Sequence, residues 1–537
     1  MLLLSGLLAC RAPVDVQPPP PAPGEPRLVI DTGIGLRDWV ATVPDRLVAV
    51  EWTTDGRDPI AGPVLAARHL WPGETWTVSA RLADGTTLTD SRTVPEPPGG
   101  NVLVVLMDDV GVDKMSAYGA ADAPPTPTLD GLAEQGMRFD RAYAAPVCSP
   151  TRAILLSGRH ARRTGVGWIA DTTTRDYALP YDTHIIPEAL WDARSTDPYS
   201  DAAVGKWHIA GPQHPDVLVH PMASGFAWFS GLVGNPRYAE GWGYAQWEQN
   251  VNGRVGVREG YLTSATIDDA IDQVERLPEP WFLYVPLNAP HSPWTEPPEE
   301  LIGGPLPGDA TDIERYDAVL TAMDVELQRL VDALDDQRDR TTIIVIGDNG
   351  TPSAAVRDPR DPGRQKHSLF EGGVNVPLVV TGPHVAEPGA VSNALVSVVD
   401  IFPTVAHIAG VPLSGPDETL EVDVGAEARP LDGRSWLPVL ADPDQHGADY
   451  VYLESFLPHG AGPHTGVDRR MVTDGHHKLV RDMSGDHLYR IDRERIADPD
   501  GPDLWGTDEL SADSRTAADA LARLMDDLDA TVGFEGR

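Results

Sequence analysis

The residues Asp108, Asp109, Asp348 and Asn349 could bind a hard divalent cation in this 537-residue chain. The first pair comes directly after the apolar run NVLVVLM, and the second pair follows the run TTIIVIG. Three carboxylates and an amide offer only oxygen ligands, which suit Ca²⁺ or Mg²⁺ better than Zn²⁺. Each pair alone also fits a turn or a helix cap, so both interpretations stay open at this point.

Further polar groups follow other apolar runs of the chain. His291 follows WFLYVPLNAP, and Lys206 and His208 follow the short run DAAVG. In a doubly wound sheet, ligands bind beyond the carboxyl ends of the strands. The sequence therefore predicts that these side chains converge in one site with the acidic residues, although the sheet alone does not name a reaction.

The segment around Cys148 has the features of an anion-binding helix start. Pro150 suits the first turn of a helix through RAILLSG, which would place Cys148 at the amino terminus of that helix. Free N–H groups and the helix dipole favour an anion there, and Arg152 adds a fixed positive charge. The alternative is a buried free cysteine without a chemical role.

The same segment closely resembles the type I sulfatases of the alkaline phosphatase superfamily. Their motif C-x-P-x-R…[ST]-G-R is matched by CSPTR (148–152) and SGR (157–159). The resemblance covers roughly residues 100 to 500 and leaves out the first 95. Other family motifs are matched in chain order by Asp108 and Asp109, GKWH (205–208), PHSP (290–293), DNG (348–350), and Lys366 with EGG (371–373).

This resemblance implies an arylsulfatase-like hydrolase of sulfate monoesters. In that family a formylglycine-generating enzyme oxidises the motif cysteine, here Cys148, to formylglycine, whose hydrate is the nucleophile. The resemblance also implies one bound Ca²⁺, with Mg²⁺ as the alternative. Its expected ligands are Asp108, Asp109, Asp348, Asn349 and an oxygen of the modified Cys148.

The resemblance further assigns catalytic roles. Arg152 and Lys206 are expected to hold negative charge, Asp348 to take a proton from the attacking hydroxyl, and His208 to act as a base. Expected to assist the departing alkoxide or phenoxide are His291 and Lys366. The expected substrate is an aryl sulfate or a sulfated glycan. Trp168 is among several tryptophans that could stack on its ring, with ordinary packing as the alternative.

Two other functions compete with this prediction. A phosphatase or phosphonate monoester hydrolase could share the fold, but a two-zinc site needs additional Asp and His ligands. In this chain Arg152, Lys206 and Lys366 occupy the corresponding places, which favours one metal ion. The second alternative is a surface lipoprotein that binds glycans without catalysis, and the full set of site residues argues against it.

The elements that must position these residues follow from the apolar pattern. Buried runs alternate with helical patterns such as 126–136 and 314–336, which predicts a doubly wound, mostly parallel α/β sheet flanked by helices over residues 101–410. Residues 411–537 contain a hairpin pattern and a closing helix, which predict a small antiparallel subdomain. Residues 27–95 show period-two patterning and resemble an immunoglobulin- or fibronectin-type β-sandwich.

The amino-terminal residues predict export. Residues 1–10 end in LLAC, which resembles a bacterial lipobox whose cysteine, here Cys10, carries lipid. The apolar run is short and lacks a basic start, which departs from a full signal peptide. A periplasmic or outer-surface lipoprotein is expected, with the Pro-rich residues 11–26 as a tether to the membrane.

The formal net charge of −39 limits the partners. Nucleic acid is excluded as an expected partner, because no run of Lys and Arg offers a basic groove. The acidity indicates a self-repelling surface, so any site for an anion must be locally basic. Lysine is scarce, and the chain contains only Lys114, Lys206, Lys366 and Lys478.

Overall fold

The described part of the chain forms two compact units, one of strands before residue 94 and one of the residues from 99 onward. Cys10 and residues 11–26 lie outside the described residues. Within the described ranges, no helix combines the length and apolar character that a membrane crossing requires. The computed structural model describes residues 29–31, 39–42, 47–54, 59–61, 64–65, 75–93, 99–172, 174–192, 199–357, 362–411, 413–414, 420–422, 429–492, 500–505, 507 and 510–532.

The described residues of the amino-terminal unit form seven strands, and its likeness to an immunoglobulin- or fibronectin-type sandwich stays a prediction. Strands β3 and β4 pair with β6 and β7 in one antiparallel sheet, and β1, β2 and β5 form a second. Alternate residues of β6 are buried, including Trp76 and Val78 beside Trp52. The strands are β1 (Val29–Asp31), β2 (Trp39–Thr42), β3 (Leu47–Thr53), β4 (Ile60–Ala61), β5 (Val64–Leu65), β6 (Thr75–Leu82) and β7 (Thr87–Thr93).

A mixed sheet of ten strands organises the second unit. Its order is β14-β13-β12-β11-β15-β8-β16-β17-β9-β18. Five adjacent strands in the middle of this order are parallel: β12, β11, β15, β8 and β16. Strands β10 and β19 form a separate parallel pair. The strands are β8 (Asn101–Met107), β9 (Met137–Phe139), β10 (Ala142–Tyr143), β11 (Ser200–Lys206), β12 (Phe229–Leu232), β13 (Gln246–Val251), β14 (Arg254–Glu259), β15 (Trp281–Pro286), β16 (Thr341–Gly347), β17 (Leu378–Thr381), β18 (Ala390–Ser392) and β19 (Val396–Ser397).

Helices cover both faces of this sheet, as the doubly wound prediction requires. Successive residues of β8 face opposite layers: Val102 and Val104 pack with α2, α4, α10 and α11, whereas Leu103 and Val105 pack with α1, α6 and α8. The helices are α1 (Pro127–Gln135), α2 (Cys148–Ser157), α3 (Ala161–Thr164), α4 (Ile186–Asp192), α5 (His220–Ala223), α6 (Leu262–Arg276), α7 (Glu299–Ile302), α8 (Asp312–Ala333), α9 (Glu371–Val374), α10 (Ile401–Ile408), α11 (Leu437–Ala441) and α12 (Ala512–Thr531).

Strand β17 departs from the parallel pattern. It contains the core of the run VPLVVTG but pairs antiparallel to β16. Parallel neighbours need a crossover connection, usually a helix. The described residues between β16 and β17 contain only the one-turn helix α9 and short 3-10 turns, so the chain returns in the opposite direction.

The carboxy-terminal residues form the predicted antiparallel sheet with a closing helix. Four strands pair in sequence order from β23 to β26. Helix α12 covers one face of this sheet, where Met525 of the helix packs with Leu479 of β25. A small three-stranded sheet precedes them. The boundary predicted between residues 410 and 411 stays a prediction. The strands are β20 (Leu413–Ser414), β21 (Leu420–Val422), β22 (Arg429–Leu431), β23 (Val451–Leu457), β24 (Val467–Thr473), β25 (His477–Asp482) and β26 (Gly485–Arg490).

Candidate active site

The two acidic pairs meet because β8 and β16 are parallel neighbours that end at the same edge of the sheet. The amide of Asp348 donates to Met107 O at 2.8 Å, and the amide of Asp109 donates to Asp348 Oδ1 at 3.0 Å. Asn349 Nδ2 donates to Asp109 Oδ1 at 2.8 Å. Asp109 has a φ of 73°, a conformation that Asp tolerates better than most residues.

Helix α2 begins at Cys148 and brings Arg152 into the acidic cluster. Arg152 is fully buried, and its Nη2 donates to Asp348 Oδ2 at 2.8 Å and to Asp108 Oδ2 at 3.2 Å. Its Nη1 donates to Lys206 O at 2.7 Å. One guanidinium therefore links the ends of β8, β11 and β16 to the helix that carries the cysteine.

Strand β11 supplies the groups beside the thiol. Lys206 is its last residue, and the ammonium contacts Asp108 Oδ2. His208 Nδ1 lies 3.2 Å from Cys148 Sγ. On the other side of the ring, His208 Nε2 lies 3.7 Å from Asp171 Oδ2. The imidazole therefore connects the thiol to a carboxylate that the motif analysis did not find.

His291 and Lys366 approach the cluster from the side of Asp109. The ammonium of Lys366 contacts Asp109 Oδ1, and His291 Nε2 lies 4.0 Å from Asp109 Oδ2. Burial and the charge of Lys206 lower the pKa of His291 to about 4. Burial opposes the charge on Lys366, but Asp109 outweighs it and raises the pKa of Lys366 above its usual range.

Burial and neighbouring charges shift the pKa values of Cys148, Asp108 and Asp348 in different directions. Burial would raise the pKa of the Cys148 thiol, but the charges of Lys206 and His208 lower it to about 6. Burial likewise opposes ionisation of Asp108, yet Lys206 and other cations hold its pKa below the usual range. Burial and repulsion by Asp108 raise the pKa of Asp348 well above its usual value. A further positive charge near Asp348 would favour its carboxylate.

The donor set fits a hard cation. Two groups offer ligand atoms within 4.8 Å of one another: Asp108 with Asp109 and His291, and Asp108 with Cys148 and Asp348. The buried Oδ1 atoms of Asp108 and Asn349 have no hydrogen-bond partner. Buried polar atoms are normally satisfied, so two unpartnered oxygens in an acidic cluster indicate a place for a metal ion.

The structure thus brings together every candidate catalytic and metal-binding residue predicted between residues 100 and 370, while their roles stay predictions. Sequence reasoning missed Asp171 and Asn235, whose Nδ2 lies 3.2 Å from Asp171 Oδ2 and 3.4 Å from His208 Nε2. Both lie in irregular segments without a motif. Only their distance in the fold relates them to the site.

Comparisons with known proteins agree with this geometry. A family model described as Sulfatase matches residues 100–411. N-acetylgalactosamine-6-sulfatase of Sus scrofa is 31% identical to this chain, and the match covers 64% of this chain and 66% of that protein. The uncharacterized sulfatase YdeN of Escherichia coli (strain K12) is 28% identical over 416 residues, covering 72% of this chain and 69% of that protein.

Solved structures share the fold at low identity. A crystal structure of Ps i-CgsB in complex with k-i-k-neocarrahexaose has a TM-score of 0.63 at 23% identity, covering 80% of this chain and 92% of that chain. A protein in complex with its substrate D-glucosamine-2-N,6-O-disulfate has a TM-score of 0.60 at 19% identity, covering 81% and 98%. The aligned chain spans just under two thirds of the pig enzyme. With its matched family model and its converging motif residues, this chain belongs to the sulfatase family.

Proposed function

We propose that this protein hydrolyses sulfate monoesters, with a nucleophile made from Cys148. The observation that carries the proposal is the position of Cys148. It begins α2 with 1% of its surface exposed, against His208 and within 4.8 Å of ligand atoms of Asp108 and Asp348. A cysteine that served only packing would not need a buried set of acids and cations around its sulfur.

Formylglycine is the proposed mature form of Cys148, and its hydrate would supply two hydroxyl groups, one to attack sulfur and one to release the sulfate afterwards. His208 is placed to hold or remove a proton at this position, because its Nδ1 is within hydrogen-bond distance of the side chain. Asp171 would orient that imidazole from the other side. Maturation would require a formylglycine-generating enzyme as a partner.

The proposed metal ion is Ca²⁺, with Mg²⁺ as the alternative. Its ligands would be Asp108, Asp109, Asp348, Asn349 and an oxygen on residue 148. When bound, the cation would neutralise sulfate oxygens and lower the pKa of the hydrate. The unpartnered oxygens of Asp108 and Asn349 support this assignment.

Positive side chains provide the local basicity that a sulfate needs in this acidic protein. Arg152 and Lys206 are fully buried beside the position of the nucleophile, where fixed charges stabilise an anion without reorganisation. Lys366 and His291 contact Asp109 instead. We assign the first two groups to the sulfate and the second two to the leaving oxygen.

A sulfated sugar is the proposed natural substrate, and activated aryl sulfates are expected to serve as well. The support comes from the relatives named N-acetylgalactosamine-6-sulfatase and from structural neighbours solved with carbohydrates. We also propose export with a lipid on Cys10, which would place the enzyme where extracellular glycans are available. The LLAC sequence supports that location.

Mass spectrometry of the peptide that contains Cys148, followed by a panel of sulfate, phosphate and phosphonate esters, tests the function. We expect a mass change of cysteine to formylglycine and the highest kcat/KM on sulfate esters. The variant Cys148→Ala should retain its thermal transition and lose at least about 10³-fold in kcat, since the covalent step is removed. Substantial activity of that variant, or a preference for phosphonates, would contradict the proposal.

A further inference from the structure

Arg469 is a half-buried cation at the edge of the active site, and Asp482 on the neighbouring strand is the carboxylate that acts on it. The chain has 81 acidic residues against 42 Lys and Arg, so carboxylates are abundant. Yet Arg469 makes neither an ion pair nor a hydrogen bond with any residue that the structure describes. Burial lowers its pKa from the ordinary value, and the charge of Asp482 opposes that shift only in part. A partly desolvated guanidinium that stays unpaired in so acidic a protein is suited to binding an anion from outside.

The side chain of Arg469 is directed toward the catalytic side of its sheet. Met471, two residues further along β24, packs on the same face with Leu369 and Val374. Arg470 lies on the other face, where it pairs with Asp529 of α12 at 2.6 Å. Arg469 therefore faces the segment that also contains Lys366.

An aromatic pair connects Arg469 to the reacting centre. The guanidinium carbon lies 5.9 Å from the ring centroid of Trp168, within the range of a cation–π contact. The Trp168 ring lies 5.9 Å from that of His367, which is exposed and directly follows Lys366. Residues 168, 367 and 469 thus lie in one row next to Lys366.

Close packing holds this cluster in place. The amide of Phe456 in β23 donates to Gly167 O at 3.0 Å. A Cβ on Gly167 would lie 2.3 Å from Phe456 Cδ2, so only glycine permits this approach. The residue before Trp168 is therefore fixed against the strand that pairs with β24, and Trp168 is held over Arg469.

We propose that Arg469, which lies over the ring of Trp168, binds a second anionic group of the substrate, a carboxylate or a second sulfate on the sugar, and thereby selects doubly anionic substrates. This inference rests on the proposed sulfate ester hydrolysis. A guanidinium presents two parallel N–H donors that match a carboxylate or sulfate, and Trp168 offers an apolar surface for the sugar ring. Neither Arg469 nor Trp168 takes part in the bond-breaking step.

Matched substrates test the proposal. N-acetylgalactosamine 6-sulfate carries one anion, N-acetylgalactosamine 4,6-disulfate adds a second sulfate, and the 6-sulfate linked to glucuronic acid adds a carboxylate. We expect the wild-type protein to prefer a doubly anionic substrate in kcat/KM. The kcat/KM for a doubly anionic substrate, divided by that for the singly anionic one, should fall about 10- to 100-fold in Arg469→Gln, mainly through KM. Arg469→Lys should restore part of this preference. Whichever doubly anionic sugar shows the effect identifies the second group.

Arg470→Gln is the control, because it removes the same charge from the neighbouring position on the other face. Its substrate ratio should equal that of the wild-type protein. An unchanged ratio in Arg469→Gln would overturn the proposal while leaving the hydrolase function intact. If no sulfate ester is hydrolysed, the proposed function fails by itself. Calorimetric titration of the same sugars into Cys148→Ala, with and without Arg469→Gln, then decides the binding role, and equal Kd values would overturn it.

Discussion

The four lysines show at the residue scale how this protein uses a scarce cation. All of them are buried, although their partners differ. Lys206 and Lys366 contact the acidic cluster, whereas Lys114 pairs with Asp317 at 2.8 Å and Lys478 pairs with Glu371 at 2.8 Å. Among the described residues, the exposed side chains with a permanent positive charge are therefore arginines. All four lysines therefore form buried ion pairs, whether or not they belong to the site. Only the sequence motifs around Lys206 and Lys366 distinguish these two as candidate site residues.

Leaving-group dependence tests the role of Lys366. Because Asp109 keeps the pKa of Lys366 above its usual range, the ammonium stays charged at neutral pH, whereas His291 is neutral. We expect Lys366→Met to slow an alkyl sulfate at least about 100-fold and 4-nitrocatechol sulfate less than about tenfold. Steady-state rates for a series of leaving groups measure this. In the control Lys114→Met, the dependence of the rate on the leaving group should stay unchanged. An equal loss of rate for both esters in Lys366→Met would contradict the leaving-group role of Lys366.

At the scale of elements, α2 is the part that joins the site to the core. All ten of its residues are buried, and it ends at Gly158 with φ of 63°, whose amide donates to Ile154 O. The carboxy-terminal sheet supports the site as well. Lys478 of β25 reaches Glu371 of α9, five residues after Lys366. Elements far apart in the chain therefore hold the reacting groups.

Two glycines at helix ends provide a matched test of this packing. A Cβ on Gly158 would lie 2.9 Å from Phe402 Cβ and 3.0 Å from Leu431 Cδ2, whereas one on Gly303 would meet nothing within 4 Å. Both have a left-handed φ, so alanine costs about 1 kcal/mol in each case. Gly158→Ala should lose a further 1–3 kcal/mol, roughly, through overpacking. Denaturant unfolding measures both, and equal losses would show that α2 can shift freely.

At the scale of the whole molecule, an acidic protein concentrates several of its positive charges in one buried site, where they pair with carboxylates. The formal net charge is −39, yet the site gathers Arg152, Lys206, Lys366 and, at its edge, Arg469. The proposed sulfated substrate would be repelled by the distant surface and attracted only at short range. Several acids outside the site are buried as well, and these make folding sensitive to pH.

Asp201 in β11 allows a test of that sensitivity. Burial raises its pKa from 3.8 to about 6, despite a hydrogen bond of 2.7 Å from the amide of Ala227. The folded state therefore binds the proton more tightly, and stability falls as pH rises from about 4 to about 6, by at most about 3 kcal/mol. Asp201→Asn keeps the acceptor and should lose less stability across this window in thermal unfolding. The exposed control Asp122→Asn should follow the wild-type curve, and an unchanged slope in Asp201→Asn would contradict the burial argument.

The sequence by itself predicted the candidate site residues and determined much of the architecture. Apolar runs such as 101–107 and 341–347 predict inner strands, because polar alternation is absent, and the residues that follow them are then expected to meet at one edge of a parallel sheet. The local pattern around Cys148 likewise sufficed for a helix start, since Pro150 and the apolar residues after it act over one or two turns.

Tertiary structure alone decided the rest. The antiparallel direction of β17, the contact of Asp171 with His208, and the approach of Arg469 to Trp168 each join segments without a shared motif. Such contacts depend on how loops cross the sheet and on which face of a strand is covered. Neither property can be predicted from a short-range sequence pattern. The reacting groups could therefore be read from local spacing, whereas the groups proposed to choose the substrate required the fold.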